Sequence, residues 1–176
     1  MSAGGAAARP GPGAAGPTAD QFRTAVGRFA TGVCVMTSRL DGHDHAMTAN
    51  AFASVSLEPL LVVVSVAEYA RFLDAVLQSG VWGVSVLPEH ARGTAEWLSS
   101  PGRPVLHQLD RVPHHRGGTT GVALLDGALA TLECRTHAVH EAGDHHLVVG
   151  GVLSVATPPQ PPPPLVYHQG RYRRLA

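Results

Sequence analysis

"GALATLECRTHAVHEAGDHHLVVGGVLSVAT", residues 127–157, holds two runs rich in β-branched residues on either side of Ala142, Gly143 and Asp144. Small and turn-forming residues between two such runs read as a hairpin joining two long strands. The strands of a hairpin are antiparallel neighbours, so this stretch sets an antiparallel sheet at the heart of the chain. Working upstream, "GVCVMTS" (32–38) and "PLLVVVSV" (59–66) are again rich in β-branched residues, and "VWGVSVL" (81–87) alternates. Downstream, "PPQPPPP" (158–164) is a stiff polyproline connector, and "LVYHQGRYRRL" (165–175) is a short final hairpin.

Helices fall between these runs. In "TADQFRTAVGRFATG" (18–32), Thr18 and Gln21 have capping-box spacing, Phe22, Val26 and Phe29 recur at helical spacing, and Gly32 is placed to end the helix. "EYARFLDAVLQSG" (68–80) suits a short helix stopping at Gly80, and "PEHARGTAEWLSS" (88–100) another with Pro88 in its first turn. Residues 100–120 are rich in Gly, Pro and His and read as a loop. The expected fold is mainly β: an antiparallel barrel with a few flanking α-helices.

The 176 residues suffice for one domain with a real core. Residues 1–17, low-complexity Ala, Gly and Pro without an apolar h-region, are expected to form a disordered tail, leaving 18–176 as the domain. Apolar content is 44%, charged content 15%, and formal net charge zero. These values argue against nucleic acid as the main partner, and no apolar run approaches the roughly 20 residues that cross a bilayer. All 13 basic residues are arginine. The absence of lysine removes a Walker-type phosphate loop, a Schiff-base lysine and a lysine general base. Cys34 and Cys134 fit no metal or redox spacing; they read as two buried free thiols in a reducing cytoplasm.

"MTANAFASVSL" (47–57) read with period two carries Thr48, Asn50, Phe52, Ser54 and Ser56 on one face. Met47, Ala49, Ala51, Ala53, Val55 and Leu57 form the other, a core face of small volume. The first face suits a flat heteroaromatic ligand with several acceptors; the alternative is a Ser/Thr-rich exposed strand face. There is no G-x-G-x-x-G after a strand, no H-E-x-x-H and no G-x-S-x-G. "HDH" (43–45) lacks the glutamate that a cupin-type metal barrel wants a few residues later, and reads as a polar hairpin tip. His114, His115, His137 and His140 read as exposed, and no metal site is expected.

The order of "FRTAVGRFATGVCVMTS", "MTANAFASVSLEPLLVVVSV", "SGVWGVSVL", "GALATLEC", "GDHHLVVGGV" and "PLVYHQGRYRRL" resembles the flavin reductase-like family, whose members adopt a flavin-binding split β-barrel. No one piece is diagnostic; six in this order are. The resemblance implies hydride transfer from NADH or NADPH to FMN, with FAD as the other flavin choice. It also implies a homodimer that supplies reduced flavin to a partner flavin-dependent monooxygenase. By resemblance, Thr48, Ala49, Asn50, Ser54 and Ser56 line the flavin. Relatives place small hydroxyl residues for the flavin phosphate where this chain has Glu68-Tyr69-Ala70-Arg71-Phe72. Arg71, at the start of a helix, is the candidate to replace them. The "GDH" motif, with Asp144 in the turn, is implied to lie at the nicotinamide, and His145 rather than His146 faces the flavin. Tyr167 and His168 are placed to cover the other side. Two rivals remain: a flavoenzyme acting directly on an organic substrate on the same barrel, and a non-catalytic flavin- or haem-binding protein.

Overall fold

The computed structural model describes residues 16–104 and 106–175. The tail expected over residues 1–17 therefore lies outside the described residues, apart from its last two. The hairpin of residues 127–157 is where the sequence puts it: β9 (Ala130–Ala142) and β10 (His145–Ala156) are joined by Gly143 and Asp144 alone. Gly143 takes a positive φ of 68°, which glycine adopts without steric cost.

Around this hairpin the chain builds a seven-stranded antiparallel sheet. β2 (Cys34–Leu40), β3 (His43–Ala49), β4 (Phe52–Leu57), β5 (Leu60–Ala67) and β6 (Val81–Val86) join β9 and β10 in the order β3-β2-β6-β9-β10-β5-β4. β3 and β4 are the two edges of this sheet, yet only Asn50 and Ala51 separate them in sequence. The three Cα–Cα steps from Ala49 to Phe52 span at most about 11 Å, so the sheet has to roll until its edges come close. Among the described residues no ladder joins β3 to β4, so the rolled sheet stays open along that line. The expected barrel is thus a split one, and its seam runs beside Asn50 and Ala51.

β1 (Thr31–Gly32), β11 (Val166–His168) and β12 (Arg171–Arg173) form a small second sheet, and β7 (His114–Arg116) pairs with β8 (Ala123–Leu125). The last two lie in and after the region read as loop. Helix α1 (Ala19–Val26) carries the expected capping box between Thr18 and Gln21, but it ends at Gly27, before Gly32. α2 (Arg71–Ser79) ends as expected on left-handed Gly80. A 3-10 turn after Pro88 leads into α3 (Arg92–Ser99).

β2 is buried on both faces, and its alternation feeds two cores. Cys34 and Met36 join Val64, Val66, Phe72, Val76, Trp82 and Cys134. Val33 and Val35 join Leu87, Leu98, Leu109, Leu125 and Leu165. Trp82 is wholly buried, and a side chain at Gly150 would run into its indole ring. Glu133 is a buried carboxylate with its acceptors filled: the Thr120 amide and hydroxyl donate at 2.6 Å, the Ser154 hydroxyl at 2.9 Å, and the Thr119 amide at 3.1 Å. Burial works to raise its pKa. The hydrogen bonds from Thr120, Ser154 and Thr119 outweigh burial and hold the carboxyl below its ordinary value.

Candidate active site

A cavity of about 580 Å³ opens at the seam. Its walls come from the end of β3 (Thr48, Ala49), the Asn50-Ala51 crossing, the end of β5 and the turn after it, the start of α2, and the chain leaving α3. They are strand ends, turns and a helix start gathered at the open seam of the sheet.

Of the residues singled out from sequence, Thr48, Ala49, Asn50, Arg71 and His145 all line this cavity. The Thr48 hydroxyl donates to the Ala95 carbonyl of α3 at 2.8 Å, fixing β3 to α3 and leaving its lone pairs free to accept. His145 Nδ1 lies 2.7 Å from Asp144 Oδ1. An ionised carboxylate only accepts, so Nδ1 carries the proton and Nε2 is the ring's second polar atom. The hydrogen bond from His145 and its charge hold the exposed Asp144 carboxyl below the usual range. Asp144 itself contributes the turn and the orientation of His145; it is not in the cavity wall. His146 points to the opposite side of β10, as neighbours on a strand must, and its Nδ1 is buried without a partner.

Ser54 and Ser56 do not line the cavity. The continuous two-faced strand expected over 47–57 breaks at Asn50, and its two halves belong to opposite edges of the sheet. On β4, Phe52 and Ser54 stand opposite Val64 and Val62 of the core and Ala53 opposite Val63, and a bulge then shifts the pairing with β5 between Ser54 and Ser56. The face expected in the core is exposed on both sides of that bulge: Ala51, Ala53, Val55 at 54% and Leu57. Ser56 accepts a hydrogen bond from the Glu58 amide at 3.2 Å, a local turn contact. Tyr167 packs edge-on against Tyr172, with ring centroids 5.3 Å apart, and borders two neighbouring clefts rather than the cavity itself.

One residue that sequence reading left in the loop is part of the wall. Arg103 donates to the Ala46 carbonyl at 2.7 Å and the Ser100 carbonyl at 3.1 Å, while Arg71 donates to the Arg103 carbonyl at 2.8 Å. Arg103 Nε is buried without a partner. Burial first, and the Arg71 charge second, lower the Arg103 pKa. Among the described residues no carboxylate lines the cavity. Two guanidiniums anchored only to carbonyls form an uncompensated cationic wall. Beside them the N-terminus of α2 has no side-chain cap, so its first amides face the same anion-favouring field. The donor set fits a phosphate, and the apolar and small residues around it fit a flat ring. The signal in sequence was Arg103 behind Ser-Ser-Pro-Gly, a turn closing a helix beside a cation.

"HDH" is engaged elsewhere: Asp44 pairs through both carboxylate oxygens with Arg116, at 2.5 and 2.7 Å. Cys34 and Cys134 are free and buried, and burial pushes both thiols up to about 12; the Glu133 charge adds to the shift at Cys134.

A rolled antiparallel sheet that stays open along one seam, with a phosphate-suited cavity there, is a split β-barrel. The chain belongs to the flavin reductase like domain family, whose model matches residues 26–176. It is 41% identical over 160 residues to the reductase component of 4-hydroxyphenylacetate 3-monooxygenase from Thermus thermophilus, covering 89% of this chain and 96% of that protein. It is 40% identical over 157 residues to an NADH-dependent flavin reductase of a Rhodococcus species, covering 88% and 85%. Among solved structures it is similar to BorF, the flavin reductase component of a bacterial two-component tryptophan halogenase, with a TM-score of 0.85, 40% identity, and 90% and 98% of the two chains covered.

Proposed function

We propose that the protein is an NAD(P)H-dependent flavin reductase that passes hydride from a nicotinamide to FMN or FAD and supplies reduced flavin to a partner flavin-dependent monooxygenase. The observation that carries this reading is one cavity lined by Arg71, Arg103, the Thr48-Ala49-Asn50 strand end and His145, with no acid in its wall among the described residues. The Arg71-Arg103 wall and the α2 N-terminus hold the flavin phosphate, and the small side chains of 48–50 let the ring approach the backbone. His145, oriented by Asp144, faces the nicotinamide. The bound cofactors carry the redox chemistry; the protein stacks two rings and keeps water out, and needs no strong acid or nucleophile. Steady-state oxidation of NADH and NADPH with FMN, FAD and riboflavin tests the proposal. Flavin-dependent oxidation without another substrate supports it and removes both rivals. Flavin binding with no turnover of either nucleotide would sink it.

The same reading includes a homodimer in a reducing cytoplasm. Supporting the dimer is an open apolar groove of about 630 Å³ bordered by Val26, Phe29, Phe52, Val63 and Leu147, which shares Asn50, Ala51 and Ser65 with the cavity. Phe29 there is 77% exposed, and Leu57 on the nearby edge strand is 86% exposed. Such a surface is costly on a monomer and suits a second copy of the chain. Analytical ultracentrifugation should give a dimer that Phe29→Asp weakens; a wild-type monomer at micromolar concentration refutes it. Two buried thiols with no disulfide suit the reducing compartment.

A further inference from the structure

Tyr69 is the most exposed large side chain in the cavity wall, at 89%. Its root is nevertheless fixed. The Ala70 amide donates to the Ala67 carbonyl at 2.9 Å, closing a tight turn around Tyr69, and the Glu68 amide donates to the Asp144 carbonyl at 3.0 Å, tying that turn to the corner that carries His145. Among the described residues the ring has no aromatic partner. A rigid turn thus holds an aromatic face at the cavity rim, two residues before Arg71.

We propose that Tyr69 is a specificity-determining residue that stacks on the adenine ring of a dinucleotide bound in this cavity. The inference rests on the reductase reading and on the phosphate lying at Arg71 and Arg103. A mononucleotide ends at that phosphate. A dinucleotide continues past it through a pyrophosphate to an adenosine, and Tyr69, two residues before Arg71, is the exposed aromatic ring in the same cavity wall. An aromatic ring accepts any base face without hydrogen-bond readout and contributes affinity when water is displaced from both faces. FAD and NADH share this adenine-pyrophosphate chemistry, and the experiment separates them.

The test uses the full chain with Tyr69→Ala and Tyr69→Trp, measuring FMN and FAD dissociation constants by fluorescence titration and the NADH KM with saturating FMN. Tyr69→Ala is expected to weaken one adenine-bearing ligand roughly 5- to 100-fold while FMN affinity holds, and Tyr69→Trp to restore it. A loss confined to FAD assigns the contact to the flavin's adenine; a raised NADH KM with unchanged flavin affinities assigns it to the nicotinamide dinucleotide. Equal weakening of FMN and FAD, no change in any ligand, or a change in sedimentation coefficient would each overturn the assignment. A wild type that neither binds flavin nor oxidises NADH would overturn the reductase reading with it.

Discussion

Replacing Arg71 by methionine keeps most of the side chain's length and removes its charge and its donors. In the folded protein Arg71 makes one hydrogen bond, at 2.8 Å to the Arg103 carbonyl. Losing it costs about 1 kcal/mol of stability, small against the 5–15 kcal/mol typical of a domain. The cost to a bound phosphate is larger, about 1.5–3 kcal/mol, because there both partners are charged, whereas the half-buried guanidinium loses only a neutral carbonyl in the fold. At 1.4 kcal/mol per decade, FMN should therefore bind about 10- to 150-fold more weakly to Arg71→Met. Riboflavin has no phosphate and should change less than about threefold, the share left to loop disturbance. Burial first and the Arg71 charge second lower the Arg103 pKa, so removing Arg71 removes one of the two unfavourable influences on its neighbour. Fluorescence titrations of FMN and riboflavin at fixed ionic strength supply all the numbers. Equal losses for the two flavins would refute the reasoning, because the arginine would then act on the cavity's shape and not on the phosphate.

Three further outcomes follow from the structure. His145→Ala should slow flavin reduction by roughly 10- to 100-fold in stopped flow, with flavin affinity held, whereas His146→Ala, on the other face of β10, should leave the rate near wild type; the reverse ranking would mean the facing assignment is wrong. Gly150→Ala forces a methyl group into the Trp82 indole and should lower stability by about 1–3 kcal/mol in denaturant melts; an unchanged midpoint would show that the indole moves freely. Glu133→Gln replaces an acceptor by a donor facing Thr119, Thr120 and Ser154, and should destabilise at neutral pH. The Glu133 carboxyl has a lowered pKa in the fold, so its contribution is fully present above the ordinary glutamate value and fades as pH falls through the lower folded value. The gap between wild type and variant should close in that acid window, and a constant gap would refute the charge-based account.

The architecture was legible wherever a local rule acts alone. Gly143 between two β-branched runs, Gly80 after α2, and Thr18 three residues before Gln21 each set one element through its own backbone chemistry, and each stands in the fold. Of the candidate site, Thr48, Ala49, Asn50, Arg71 and His145 line one cavity, where the family resemblance pointed to segments that meet at the seam. It was not legible at Ser54 and Ser56. A period-two count cannot detect that a strand has ended and a second begun, or that a bulge has inserted one residue. Arg103 was missed for another reason. Its partners are carbonyls of Ala46 and Ser100 and the neighbouring Arg71, all brought to it by tertiary packing, and composition in a Gly/Pro-rich loop carries no trace of them.

The seam gives one physical cause for the cavity and for the apolar groove beside it. Asn50 and Ala51 must cross from one edge of the sheet to the other, and strands β3 and β4 diverge on either side of them. Asn50 and Ala51 lie outside both strands, and the cavity and the groove open on either side of them. One flank collects the arginines and becomes the cationic cavity; the other collects Phe29, Phe52 and Leu147 and becomes the groove. Ser65 lies between, its amide donating to the Ala51 carbonyl at 3.0 Å, and it borders both spaces. A second chain seated in the groove would therefore press on the backbone that lines the cavity. The proposed ligand site and the proposed dimer surface would share that wall, because both border the same two-residue crossing.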